Sequence, residues 1–123
     1  MLKRILIIED NAEHLEVLNE ALSYFNFLIK AIPDGTELIN ITEDFKPDLF
    51  LLDYILPGES GVDLCNKLKG NLKTKAIPVI IMSGYQGVLE QFDCCDAFLY
   101  KPLDLNLLLE KIDDLLYLKL PVA

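Results

Sequence analysis

The chain has 123 residues, 52% hydrophobic and 25% charged, which suits one compact domain with a single core. Its 20 acidic against 11 basic residues leave a net charge of −9, which disfavours nucleic acid and anionic lipid as direct partners. No apolar run approaches the roughly 20 residues that span a bilayer, and the segment before Glu9 is too short for a signal peptide.

In chain order, Ile5 to Ile8 is the first apolar run and ends at Glu9-Asp10. Leu15, Leu18, Ala21 and Leu22 then share one face of a helix that Asp10 or Asn11 can cap. A second run, Phe27 to Ile29, precedes an Asp34-Gly35 turn and a short helical pattern of Leu38, Ile39 and Thr42. The third run, Leu49 to Leu52, ends at Asp53, and Ser60 caps a helix carrying Val62, Leu64, Cys65 and Leu68. Ile77 to Met82, broken by Pro78, leads to Ser83, and Ala97 to Tyr100 leads to Lys101. Asp104 caps a last helix with Leu105, Leu108, Leu109, Ile112 and Leu116 on its apolar face. The runs do not alternate polar with apolar, so they fit strands buried on both faces of a parallel sheet. Strands alternating with helices predict right-handed βαβ units in a doubly wound α/β domain covering residues 1–123.

In such a sheet, function collects beyond the carboxyl ends of the strands, where strand order reverses. Those ends carry Glu9 and Asp10, Asp53, Ser83 and Lys101. Three carboxylates in one crevice repel one another, and a hard divalent cation relieves the repulsion. Mg²⁺ fits an open acidic pocket without histidine or thiolate ligands. With that charge nearby, Asp53 can remain ionised and act as a nucleophile toward phosphorus. Mg²⁺, the Lys101 ammonium and the Ser83 hydroxyl would then each cover one phosphoryl oxygen.

Each residue also has an ordinary reading: Asp10 as a helix cap, Asp53 as turn chemistry before Pro57-Gly58, Ser83-Gly84 as a loop pair, Lys101 as a solvated charge. Their placement at four strand ends in complementary roles favours a shared site. The thiols Cys65, Cys94 and Cys95 lack zinc-ligand spacing, cannot all pair internally, and fit a reducing cytoplasm. His14 is expected on a helix surface with nothing beside it to activate it.

The segments Ile7-Ile8-Glu9-Asp10-Asn11, Leu51-Leu52-Asp53-Tyr54-Ile55-Leu56-Pro57-Gly58-Glu59-Ser60-Gly61, Ile80-Ile81-Met82-Ser83-Gly84 and Tyr100-Lys101-Pro102 resemble the receiver domains of two-component response regulators, in the family's order and over essentially the whole chain. The resemblance implies a flavodoxin-like five-stranded parallel sheet of order 2-1-3-4-5. It implies Asp53 as phosphoacceptor, with Glu9, Asp10, Asp53 and the carbonyl of Ile55 serving Mg²⁺. Ser83 and Lys101 match the family's hydroxyl and lysine. Phe98 matches the aromatic that swings inward on activation, and the Lys101-Pro102 bond is commonly cis in the family. The usual phosphodonor is a phosphohistidine on a sensor histidine kinase or a phosphotransfer protein.

Two departures stand out. Family members usually have a longer stretch between hydroxyl and lysine than the 18 steps from Ser83 to Lys101, so the fourth helix, within Gly87 to Asp93, is expected to be short or irregular. Phe98 also lacks the hydroxyl of the tyrosine common at its position. Signalling is expected through a downstream protein or self-association, since nothing follows Ala123. Val88, Leu89, Phe92, Leu107, Tyr117 and Leu118 are candidates for a docking patch. Ile55 and Tyr85, two residues beyond Asp53 and Ser83, are expected to crowd hydrolytic water. The switch turns over no external substrate, and the alternative is a binding module that kept the fold without switching. A haloacid-dehalogenase-type phosphatase would need an aspartate where Ile55 stands. A flavodoxin-like carrier would need hydroxyls and glycine where Glu9-Asp10-Asn11 stands.

Overall fold

The structure, a computed structural model, describes residues 2–117. Its elements are β1 (Arg4–Ile8), α1 (Ala12–Tyr24), β2 (Leu28–Ile32), α2 (Leu38–Phe45), β3 (Leu49–Asp53), α3 (Gly61–Lys69), β4 (Val79–Ser83), a 3-10 turn (Leu89–Gln91), β5 (Ala97–Tyr100) and α4 (Leu105–Leu116). All strand pairings are parallel and the order is β2-β1-β3-β4-β5, the flavodoxin-like arrangement.

The strands have two packed faces because side chains alternate across a pleated sheet. Leu6, Ile8, Phe50, Leu52, Val79 and Ile81 point to the layer holding α2, α3 and the 3-10 turn. Ile5, Ile7, Leu49, Leu51, Ile80 and Met82 meet Leu18 and Leu22 of α1 and Leu108 and Ile112 of α4. Every residue of β3 and β4 is therefore buried, which explains their unbroken apolar runs.

The second strand departs from expectation. It runs from Leu28 to Ile32 rather than starting at Phe27, and its burial alternates because it is an edge strand, with Leu28 and Lys30 facing solvent. In α2, Leu38 and Thr42 are buried four positions apart, whereas Ile39, a hundred degrees around the helix, is exposed. In α4, Leu105 lies at the margin of the apolar face and remains partly exposed.

Helix caps follow the polar residues. Asn11 caps α1, its side chain accepting from the His14 N–H at 3.1 Å. Ser60 and Asp63 form a reciprocal capping box on α3. Asp104 accepts from two backbone N–H groups at the start of α4. The fourth crossover holds only the three-residue 3-10 turn, as the short Ser83–Lys101 spacing predicts. That turn is pinned from β5: the Tyr100 hydroxyl accepts from the Leu89 N–H at 3.0 Å and donates to Glu90. Leu89 is fully buried and is therefore unavailable to the docking patch suggested by sequence, and Leu118 lies outside the described residues.

Candidate functional site

Strand order reverses between β1, which lies between β2 and β3, and the strands beyond, so the crevice opens above the ends of β1 and β3. Ile8 pairs with Leu52, which sets Glu9 beside Asp53. Asp53 pairs with Met82, and Ser83 pairs with Tyr100, which brings Lys101 to the same rim. The loop backbones are tied across the sheet: the Tyr54 N–H donates to the Met82 carbonyl at 2.7 Å, and the Lys101 N–H to the Ser83 carbonyl at 2.8 Å. The Lys101–Pro102 peptide bond is cis.

Carboxylate oxygens of Glu9, Asp10 and Asp53 lie within 4.8 Å of one another. Glu9 and Asp53 are buried, and Asp10 is exposed at the mouth. The Lys101 ammonium is 3.0 Å from Glu9 Oε1 and 3.2 Å from Asp53 Oδ2, spanning both acids. Burial first, then the neighbouring Glu9, pushes the Asp53 carboxyl up to about 6 despite the opposing pull of Lys101. Burial also pushes Glu9 upward, but hydrogen bonds from Asp53, Lys101 and His14 outweigh it and hold Glu9 below the usual range. Of the pair, Asp53 therefore keeps its proton to the higher pH when no cation is present.

The fit of a divalent ion can be judged from these atoms. Glu9 Oε2 is buried without a hydrogen-bond partner, a costly state for a carboxylate oxygen. The three clustered ligand groups, Glu9, Asp10 and Asp53, are all carboxylates, the donor type of a hard cation such as Mg²⁺. The residues present therefore fit the ion.

Ser83 is buried, and its hydroxyl oxygen accepts from the Tyr85 N–H at 3.0 Å, which leaves its own proton to donate. Phe98 is half-buried and packs edge-to-face on Tyr100 with ring centres 5.7 Å apart. The Ile55 side chain is half-exposed on the loop after Asp53. Cys65 is buried against Cys94, and burial pushes its thiol well above the usual range, away from reactive chemistry.

The expectation for His14 holds in part: it lies exposed on α1, but it does have polar neighbours. Its Nδ1 lies 2.9 Å from Glu9 Oε1 and 3.1 Å from Lys101 Nζ, so it belongs to the constellation although its side chain is half-exposed. The Asn11 cap begins α1 so that its first turn overhangs the end of β1, and His14 is the third residue of that turn. The signal lay in its spacing from Asp10, one helical turn away, but a sequence does not show which face of that turn looks inward. The contact of the Tyr100 hydroxyl with the 3-10 turn is likewise not readable from the sequence, although Tyr100 carries a hydroxyl on the strand where Phe98 has none.

Residues 5–113 match the response regulator receiver domain family, and the chain belongs to it. It is similar to the DNA-binding response regulator MtrA of Mycolicibacterium paratuberculosis, with 34% identity over 68% of this chain and 36% of MtrA. It is also similar to the response regulator PleD of Caulobacter vibrioides, with 28% identity over 99% of this chain and 28% of PleD. The chain thus spans about a third of the length of the curated relatives it matches. Among solved structures, the receiver domain of a signal transduction histidine kinase from Syntrophus aciditrophicus superposes with a TM-score of 0.86 at 26% identity, covering 98% of this chain and 97% of that one. The receiver domain of a sensor histidine kinase from Pseudomonas aeruginosa, which holds magnesium in its active-site cleft, shares the fold with a TM-score of 0.85 at 19% identity, covering 95% and 99%. Among the described residues, no helix is long and apolar enough to cross a membrane.

Proposed function

We propose that this chain is a phosphoacceptor switch in which Asp53 receives a phosphoryl group from a phosphohistidine on a sensor kinase or phosphotransfer protein. The observation that carries the reading is the meeting of Asp53, Glu9, Asp10 and Lys101 at one end of the sheet. An Asp53 carboxylate oxygen forms the new P–O bond as the P–N bond of the donor breaks, and the released imidazole nitrogen takes a proton. Lys101, already within hydrogen-bond distance of Asp53, follows the charge that gathers on the phosphoryl oxygens. Mg²⁺, held by Glu9, Asp10, Asp53 and the Ile55 carbonyl, supplies further positive charge there when bound.

Ser83 is the switch element. Its hydroxyl proton is free to be donated to a phosphoryl oxygen, which would draw the loop carrying Tyr85 toward Asp53. β5 lies beside Ser83, so Phe98 repacks against the fourth crossover and passes the change to a protein partner or a second copy. No external substrate is turned over.

Incubation with acetyl phosphate and Mg²⁺ is expected to add one phosphoryl unit to the intact mass, and the Asp53→Asn variant is expected to gain none. An unmodified parent chain would favour a binding module that kept the fold without switching, a reading to which the single-turn fourth crossover lends some support. The acyl phosphate is expected to persist for minutes rather than seconds. Ile55 and Tyr85 stand on the loops beyond Asp53 and Ser83 and offer hydrolytic water neither an acid nor an amide. Decay within seconds in Mg²⁺ buffer, followed by intact mass, would refute that expectation.

A further inference from the structure

We infer that the Tyr100 hydroxyl is a latch on the fourth crossover that the switch at Ser83 has to open, an inference that rests on the reading of Asp53 and Ser83 given above. The chain leaves the sheet at Ser83, runs through Gly84 to Val88, and is fastened at Leu89, whose N–H donates to the Tyr100 hydroxyl oxygen at 3.0 Å. Tyr100 is the strand partner of Ser83 in the β4–β5 register. The loop therefore sets out from one member of a strand pair and is tied back to the other, a closed ring with five residues between its fixed points. The hydroxyl proton goes to Glu90, so the tyrosine engages two neighbouring residues of the same turn. Among the described residues, the remaining hydrogen bonds of Gly84 to Phe92 stay inside the crossover or return to Ser83.

The ring is placed so that it can open without unfolding the domain. Gly84 to Gly87 and Glu90 are exposed and Tyr100 is half-buried, so water can replace either contact of the hydroxyl. The Leu89 side chain, by contrast, is fully buried in the layer that holds α2 and α3. A proton donated by Ser83 to a phosphoryl oxygen pulls on one end of the ring, and the Tyr85 N–H, 3.0 Å from Ser83 Oγ, moves with it. So short a span has little slack to absorb that pull, which therefore reaches Leu89 and its bond to Tyr100. The Phe98 ring lies against Tyr100 on the same face of β5 and repacks as the tyrosine is released. The closed latch thus favours the unphosphorylated arrangement, and a phosphoryl group on Asp53 favours the open one.

Amide hydrogen exchange of the unmodified protein gives the first readout. Tyr100→Phe is expected to speed exchange at Leu89 about tenfold, the worth of one ordinary hydrogen bond, with the amides of β3 and β4 unchanged. Glu90→Ala, at an exposed position, is expected to act in the same direction by less. A Leu89 amide indifferent to both replacements would overturn the inference. The second readout is the affinity for beryllium fluoride, a phosphoryl mimic, in Mg²⁺ buffer. Coupling between two sites is reciprocal, so Tyr100→Phe is expected to bind the mimic about fivefold more tightly than the parent. Adding Glu90→Ala to Tyr100→Phe is expected to change the affinity by less than about twofold, because contacts of one hydroxyl are not additive. A tyrosine that only braced the fold would, on removal, leave the affinity equal or weaker, and either result would overturn the latch. A parent chain that neither binds the mimic nor takes up a phosphoryl group from acetyl phosphate would refute the proposed function instead, and exchange at Leu89 would then decide whether Tyr100 holds the turn.

Discussion

In magnesium-free buffer at neutral pH, the Asp53→Asn variant is expected to melt at a higher temperature than the parent, while losing all phosphoryl uptake. Two buried carboxylates share one lysine in the parent, and Asp53 carries the strain, its carboxyl pushed up to about 6 by burial and by Glu9. A folded-state value above the unfolded value of 3.8 means that the native state holds the proton more tightly. The stability tied to protonated Asp53 is therefore fully present below pH 4 and is lost as pH rises through about 6. The difference in melting temperature between variant and parent should open across that window and level off above it. A shift of this size corresponds to roughly 3 kcal/mol at most. The amide also gives up its attraction to Lys101, so a gain on the order of 1–2 kcal/mol, a few degrees, is expected. Mg²⁺ should close the gap, because it binds the parent acids and stabilises by about 2.7 kcal/mol at a hundredfold excess over Kd. Matching melting curves with chelator at pH 5 and pH 7.5 would show that the acids do not repel as described.

Gly61→Ala is expected to be among the most destabilising single changes in the chain and to disable the site without touching any of its charged groups. A Cβ at Gly61 would lie 2.2 Å from the Asp53 carbonyl oxygen, 3.0 Å from its carbon and 3.2 Å from Tyr54 Cα, all backbone atoms that cannot rotate away. The Gly61 N–H meanwhile donates to the Tyr54 carbonyl at 2.9 Å, so the start of α3 is clamped onto the end of β3. Relief requires α3 or the Asp53 peptide to move by about an ångström. Such overpacking costs about 2–3 kcal/mol, a fall in melting temperature on the order of 10 °C for a domain of this size. Because the displaced peptide is that of Asp53, the phosphorylation rate should fall by more than tenfold even where the variant remains folded. Thermal melting and the acetyl phosphate reaction check the two parts separately. By contrast, Gly58 has open space around its Cβ position, and its need for glycine comes from a φ of +77°.

These outcomes depend on an architecture whose elements were largely readable from residue order. Four apolar runs became strands, Asn11, Ser60 and Asp104 became helix caps, and the 17 residues between Ser83 and Lys101 left room for one turn of 3-10 helix. Strand ends and the residues just past them could be read because a buried strand stops where its apolar run stops. That rule alone assembled Glu9, Asp10, Asp53, Ser83 and Lys101 at one rim. It failed at β2, where an edge position exposes alternate side chains and the run no longer marks the strand.

What the order of amino acids settled unaided was composition-level and local: burial on two sheet faces, helix starts, and the chemical types available at the strand ends. Lateral relations came only with the folded chain. Whether an exposed histidine looks toward a lysine 87 positions away, or which hydroxyl caps the turn after β4, depends on the register between elements remote in sequence. Periodicity reports which side of an element is buried, whereas the distance between two side chains on different elements is set by how those elements pack, and that information exists only in three dimensions.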